Sequence, residues 1–297
     1  MPSVPARTAP APDHPAHRRC PWCGAATLRT KVRTPVLPGD LDECRTCRHV
    51  FRTPDPTAPA PPPADPDRAL RRHRDHLGAA RALLPFGEPE SWLDVGTGPA
   101  DFPAAARAVH PYTAFDGLDT APELALAGDR LDEAHHGTLP DLAPRLAARY
   151  DVVSLFRHLE RVPDPRTELR AALRVLRPGG HLLIEGTDPR CRAAALGRWW
   201  APYHRPGPLH LIPEANLHRA LRVLGATLVL VDHRGALRPA GAGTAAALLL
   251  TARRGPGARP ATAPLRLGRV LDRALRPPGP VAGRASAYRL IARRDPA

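Results

Sequence analysis

The sequence predicts an α/β fold: a doubly wound, mostly parallel sheet with helices on both faces, preceded by a small cysteine-bearing module. Three observations predict it. From Ser91 onward, short apolar runs alternate with stretches of helical periodicity, the pattern that sets crossover helices between parallel strands. The first of these runs, Trp92-Leu93-Asp94-Val95, passes straight into Gly96-Thr97-Gly98. Ahead of it, two Cys-x-x-Cys pairs stand in a short segment of their own.

The chain has 297 residues, enough for one large domain and one small one. Its 39 prolines are too many for uniform packing, so part of it is expected as linker or tail. A formal net charge of +14 raises nucleic acid as a partner. The composition argues against it. Lys31 is the single lysine, alanine, proline and arginine are inflated together, and the arginines are scattered rather than gathered in a stripe. No apolar run reaches the roughly 18 residues that span a bilayer. Residues 1–17 lack the apolar core of a secretory signal, so a reducing cytoplasmic location is expected.

Residues 1–17 are expected as a disordered leader, 18–53 as the cysteine module, and 54–66 as a stiff, extended proline-rich linker. The main domain is expected over 67–235. Its first helix, 67–84, contains no proline and sets Leu70, Leu77, Ala80 and Leu84 at helical spacing. Strands are expected at 92–95, 114–118, 151–156 and 181–185, and helices at 104–109 and 166–176. The second of these helices is amphipathic and is stopped by Pro178-Gly179-Gly180. A helix over 213–224 ends at Gly225 and leads into a strand over 226–231. In the C-terminal extension, 236–297, residues 244–253 read as helix or strand and 265–275 as helix. Residues 286–293 read as the last sheet strand, antiparallel to its neighbours.

Cys20-Pro21-Trp22-Cys23 and Cys44-Arg45-Thr46-Cys47 are two knuckles separated by 20 residues. Two residues between thiolates let both sulfurs face one ion, and four thiolates complete the closed tetrahedral shell of structural zinc. Two disulfides or a redox pair are the alternatives; the reducing location opposes the first and the doubled motif the second. Gly24 suits the turn after the first knuckle, and His49 is surplus to a four-sulfur site. Cys191 stands alone and reads as a passive buried thiol.

A glycine turn at the carboxyl end of a parallel strand is where doubly wound folds bind nucleotides, because bare backbone admits the ligand. An acid ending the second strand can hold both ribose hydroxyls, and Asp119 stands 23 residues after Gly96, near the usual spacing of about 20. The same parts could hold a dinucleotide. That fingerprint, however, needs a third glycine where this chain has Asp101, and a carboxylate there repels a pyrophosphate. Beside a sulfonium and an ammonium, acidic residues are tolerated or helpful, and Asp94 fits the same logic. A plain strand–turn–helix without ligand is the remaining alternative.

Leu93-Asp94-Val95-Gly96-Thr97-Gly98 resembles motif I of class I S-adenosylmethionine (SAM)-dependent methyltransferases. Gly117-Leu118-Asp119-Thr120-Ala121-Pro122-Glu123 resembles their ribose-binding segment, 150–165 their fourth strand and its loop, and 173–184 the next helix, turn and strand. The Trp-rich segment 198–224, with His210, resembles a bacterial small-molecule branch, several of whose members carry an N-terminal zinc module. The resemblance implies a seven-stranded Rossmann-like methyltransferase sheet, SAM and structural zinc as cofactors, and methyl transfer to a small molecule in natural-product or sugar metabolism. It implies that Gly96 and Gly98 pack against the amino-acid part of SAM, Asp119 binds ribose and Phe156 lines the pocket, with Asp94, Thr97 and Thr120 completing the set. It implies Cys20, Cys23, Cys44 and Cys47 as the zinc ligands. Three positions depart from the pattern: Ala100 replaces the third loop glycine, Arg161 replaces a histidine, and Asp141 is the nearest carboxylate for adenine.

Methyl transfer from a sulfonium is an in-line displacement governed by alignment, and a base is needed only if the acceptor carries a proton. His158, His204 and His210 are the candidates. His210 is expected as the catalytic residue, since it resembles a histidine at the family's substrate-cleft edge. Trp199, Trp200 and Tyr203 form either an apolar wall for the acceptor or a packed helical lid. The alternative function is a non-catalytic methyltransferase-like scaffold whose zinc ribbon recruits protein or nucleic acid. A nicotinamide oxidoreductase is a third reading, set back by Asp101.

Overall fold

The computed structural model describes residues 19–32, 40–52, 66–204, 208–233 and 286–296, with isolated helical positions between 243 and 271. The cysteine module supplies β1 (Leu28–Val32), β2 (Leu41–Cys44) and β3 (Val50–Phe51). The main domain follows with α1 (Pro66–Arg81), β4 (Ser91–Val95), α2 (Asp101–Ala106), β5 (Ala114–Asp119), β6 (Glu133–His136) and α3 (Leu139–Leu142). It continues with β7 (Tyr150–Phe156), α4 (Pro165–Val175), β8 (Leu176–Thr187), β9 (His210–Leu211), α5 (Glu214–Val223), β10 (Ala226–Asp232) and β11 (Ala287–Arg294).

Among the described residues, seven strands form one sheet in the order β10-β11-β8-β7-β4-β5-β6. β4 pairs parallel with both β5 and β7, whereas β11 is antiparallel to both β8 and β10. The chain builds outward from β4 to β6 and then returns to β7 on the other side of β4. That reversal opens a crevice above the carboxyl ends of β4 and β7. Both faces of the sheet are covered at its centre, so the central strands β4, β7 and β8 are apolar on both sides. Trp92, Phe115, Val152 and Ile291 pack with Phe102 of α2 and Ala79 and Ala80 of α1. Leu93, Val95, Leu155 and Ile184 pack on the opposite side with Leu169 and Leu173 of α4 and Leu217 and Leu221 of α5.

Four elements differ from the sequence reading. The helix expected at 104–109 begins at Asp101, because Pro103 lies in its first turn, where a missing N–H costs nothing. β6 is an additional strand, Glu-Ala-His-His in sequence, and it pairs with β5 alone at the sheet edge. The Pro178-Gly179-Gly180 signal falls inside β8 as a break in register: Tyr150 opposes Leu176, and Val152 then opposes His181. β9 also went unforeseen. It pairs with β3, Phe51 opposite His210, so the small sheet β1-β2-β3-β9 joins the cysteine module to the main domain. The expected leader, residues 54–65 of the linker and most of 236–285 lie outside the described residues. Among the described residues, no helix is long and apolar enough to cross a membrane.

Candidate active site and cysteine centre

The turn after β4 is built from three left-handed residues, Gly96 (φ 73°), Gly98 (φ 54°) and Ala100 (φ 59°). The Gly96 amide donates to the Leu118 carbonyl at 2.7 Å, which folds the turn over the end of β5. Gly96 is exposed, and a Cβ on it would come within 2.8 Å of His158 Nδ1. Glycine is therefore required there twice, by its backbone angle and by the ring above it. Ala100 tolerates the same conformation because its fully buried methyl packs among Leu124, Ala127 and Leu131.

Asp119 closes β5 against this turn. Its Oδ2 accepts the Gly98 N–H at 2.8 Å and its Oδ1 the Ala121 N–H at 2.9 Å, so acid and turn form one unit. Thr120 is exposed beside it. Asp94 is buried beneath, at the end of a donor chain: Trp92 Nε1–H to Ser154 Oγ at 3.0 Å, then Ser154 O–H to Asp94 Oδ1 at 2.6 Å. Burial pushes the Asp94 carboxyl up to about 7; Ser154 and Thr97 oppose the shift and the Asp119 charge adds to it. Thr97 is buried with its methyl against Gly117, so what it offers the crevice is backbone.

The loop after β7 forms the other wall. Phe156 packs on Phe102 at 4.4 Å and on His76 of α1 at 6.1 Å, which makes α1 a side of the crevice, a part the sequence reading did not assign. α1 is itself fastened to the sheet by a buried ion pair. Arg289 donates to Glu185 at 2.7 Å and to the carbonyls of Gly78 and Asp75 at 2.9 and 3.3 Å. Arg157 (φ 55°) donates through its guanidinium to Glu160 at 3.0 and 2.8 Å. The buried Glu160 carboxylate also accepts the Thr187 N–H at 2.6 Å, and its carbonyl accepts the amides of Leu209 and His210 at 2.6 and 3.0 Å. His158 Nε2 stands 3.4 Å from Glu168 Oε2 on α4.

His210, expected as the catalytic residue, lies in the seam between the two parts. It is 4 % exposed, its ring stacks on His49 at 5.1 Å, and its Nε2 lies 3.3 Å from the Pro163 carbonyl. Trp200 and Tyr203 are buried with Val32, Leu41, Val50 and Leu211, the packed lid rather than an open wall. Trp199 is exposed, with Arg198 over its ring at 5.1 Å. His204 bonds the Arg198 carbonyl within the lid. Cys191 is a buried thiol of the same cluster, pushed up to about 11 by burial. Asp141 is exposed and engaged with Thr138 in a cap at the start of α3. His158 is thus the one of the three candidate histidines that meets the glycine turn.

The four cysteines converge. All four Sγ atoms lie within 4.8 Å of one another, and Cys20–Cys47 and Cys23–Cys44 are each 3.6 Å apart. A tetrahedral site with Zn–S of about 2.3 Å requires sulfurs about 3.8 Å apart, so the donor set fits that ion. The two knuckles match. Gly24 and Arg48, both left-handed, donate to the carbonyls of Cys20 and Cys44 at 2.8 Å. Glu43 is buried beneath three cations, Arg29, Lys31 and Arg48, at 2.6, 3.1 and 2.9 Å, which hold its carboxyl below the usual range against the cost of burial. Asn216 of α5 donates to the Cys47 carbonyl at 2.9 Å, and Arg166 of α4 to the Trp22 carbonyl at 3.0 Å. A second convergent group, Asp116, Glu133 and His135, already holds Arg149 as its cation and the Tyr150 hydroxyl as a donor.

A family model described as a methyltransferase domain matches residues 68–231. The ubiquinone biosynthesis O-methyltransferase of Xanthomonas campestris pv. campestris is 33% identical over 165 residues, covering 52% of this chain and 64% of its own. That of Pseudomonas savastanoi pv. phaseolicola is 35% identical over 132 residues, 42% of this chain and 54% of its own. The chain thus spans less than two thirds of the length of these curated relatives. An O-methyltransferase family protein from Burkholderia thailandensis shares the fold with a TM-score of 0.50 at 15% identity, covering 78% of this chain and 58% of that one.

Proposed function

This chain belongs to the methyltransferase-domain family, and from that premise we propose that it transfers a methyl group from SAM to a hydroxyl of a small-molecule acceptor. The observation that carries the reading is the bare turn at Gly96 and Gly98 with the Asp119 carboxylate fastened across it. SAM supplies an electrophilic methyl on a sulfonium. The residues do the rest. Gly96 and Gly98 leave room for the amino-acid part of the donor, with Thr97 contributing backbone. Asp119, exchanging the Gly98 amide for the ribose hydroxyls, holds the sugar, with Thr120 beside it. Asp94 sets a negative potential under a cationic ligand, and Phe156 closes the side with Phe102 and His76. Catalysis of this kind is mostly alignment in a crevice shielded from water.

The names of the curated relatives support an oxygen acceptor, and natural-product or sugar metabolism is the proposed setting. Cys20, Cys23, Cys44 and Cys47 hold a structural zinc in this reading, supported by their mutual spacing. His210 is a positioning residue that ties the loop at Pro163 to the cysteine module through His49.

Titration calorimetry of zinc-loaded protein with SAM and with S-adenosylhomocysteine tests the reading. Both should bind, NADH should not, and Asp119→Ala should weaken both by about tenfold or more, the loss of charge-assisted hydrogen bonds. Absence of heat with either nucleoside would remove the enzyme reading and leave only the fold.

A further inference from the structure

We propose that His158 is the general base that takes the acceptor's hydroxyl proton, and that Glu168 is the positioning residue that fixes its tautomer. The proposal rests on the reading that a hydroxyl is methylated above the Gly96 turn. The imidazole spans two surfaces. Its Nδ1 lies 2.8 Å from where a Cβ on Gly96 would sit, and its Nε2 lies 3.4 Å from Glu168 Oε2. Among the described residues, His158 Nε2 and Glu168 Oε2 are both buried and neither has a hydrogen-bond partner, so the two unsatisfied atoms face each other. Glu168 is only 7 % exposed. A carboxylate oxygen so enclosed demands a donor, and the Nε2–H of the ring 3.4 Å away is the one that a small side-chain rotation brings to it.

That demand decides the tautomer. With the proton on Nε2, the lone pair resides on Nδ1, the nitrogen that faces the glycine turn. A carboxylate orienting an imidazole so that its far nitrogen can accept a proton is a recurrent device of catalytic histidines. The His158 side chain is 17 % exposed, so the ring also reaches the crevice. His204 and His210 lack this arrangement, because their ring nitrogens meet the carbonyls of Arg198 and Pro163 in the lid and seam.

In the step, the hydroxyl oxygen's electron pair forms the O–C bond to the methyl carbon. The electron pair of the breaking C–S bond stays on sulfur, and the hydroxyl proton passes to Nδ1. The imidazolium, held by Glu168, then loses that proton to solvent. Glu168 from α4 is the charged group that faces the ring, and Arg157, Glu160 and Arg161 stand on its own loop. Turnover requires the neutral ring with its lone pair on Nδ1.

Nitrogen-15 NMR of zinc-loaded, histidine-labelled protein reads the tautomer without any acceptor. The wild type should show His158 protonated at Nε2. Glu168→Gln should erase that preference. In turnover assays, His158→Gln should lower kcat by about 100-fold or more. S-adenosylhomocysteine affinity should stay within about threefold, since the base acts on the acceptor. Glu168→Gln should lower kcat and leave S-adenosylhomocysteine affinity within about threefold, because it acts through the ring. A wild-type proton on Nδ1, a tautomer indifferent to Glu168→Gln, or full turnover in His158→Gln each overturns the proposal. Loss of S-adenosylhomocysteine affinity in His158→Gln with kcat unchanged also overturns it, by moving the ring to cofactor binding. Failure of the wild type to bind SAM overturns the parent reading instead, and the tautomer measurement still decides the His158–Glu168 pairing.

Discussion

A carboxyl lifted to about 7 by burial, as at Asp94, is part neutral and part charged in neutral solution. A cationic ligand beside it favours the charged form, so its pKa in the complex is lower than in the free protein. Binding therefore releases protons between those two values. SAM affinity should rise as pH climbs toward about 7 and level off above it, where the free carboxyl is already ionised. Calorimetry in buffers of different ionisation enthalpy measures the released proton, and Asp94→Asn should abolish it; an affinity flat with pH in the wild type would sink the idea. Ala100 poses a different balance. Its left-handed backbone costs about 1–2 kcal/mol, relieved by glycine. Against that stand a buried methyl worth about 0.8 kcal/mol and the greater freedom of unfolded glycine, about 0.4–1 kcal/mol. The terms nearly cancel, so Ala100→Gly should change unfolding stability by no more than about 1 kcal/mol in urea titration. Ala100→Val adds branching and volume at a site with no exposure and should cost about 2 kcal/mol or more.

Between elements, the loop after β7 depends on one residue. Glu160 satisfies Arg157, the Thr187 amide and, through its carbonyl, the start of β9. Glu160→Ala strands a guanidinium and a buried amide together and should cost about 3 kcal/mol, read as a lowered denaturant midpoint at constant m-value. The loop was visible in the sequence as a motif, but its wiring was not. Periodicity reports which face of an element is buried, and that was enough to place β4, β5, β7 and α4 within a residue or two. It says nothing of partners. β6 lacks apolar alternation because it lies at an edge, and β9 is two residues whose pairing partner, β3, lies far back in the chain. The helix expected from 104 starts at Asp101, because Pro103 sits in the first turn, where helices accept proline. Arg48 repeats the role of Gly24 without the glycine that marks it. For the site, Gly96, Gly98 and Asp119 were legible because a turn and an acid at fixed spacing are local features. The Glu168 partner of His158 was not, because helix and loop meet only in three dimensions.

The cysteine module and the main domain form one body through a shared interior. Cys20, Trp22, Cys44 and Cys47 belong to the same buried cluster as Ile212, Leu217 and Leu155, and β3 shares a ladder with β9. Zinc bound by those thiolates would therefore stabilise more than its own knuckles, since structural zinc binding is folding free energy of about 10–16 kcal/mol in small isolated modules. Were the module an appended bead, metal removal would melt it alone and leave the main transition unmoved. With a common core and the Asn216 and Arg166 contacts, chelation or Cys44→Ser should instead lower the single melting transition of the whole protein by several degrees. The functional loss should be graded by distance. β9 hangs from the Glu160 carbonyl, so loosening it disturbs the loop that carries His158, whereas Asp119 and the Gly98 amide are bonded to each other. Partial metal depletion should thus lower turnover before it weakens S-adenosylhomocysteine binding. Scanning calorimetry and parallel binding assays on protein of measured zinc content check both halves, and two separate melting transitions, or a loss of nucleoside binding ahead of turnover, would refute the common body.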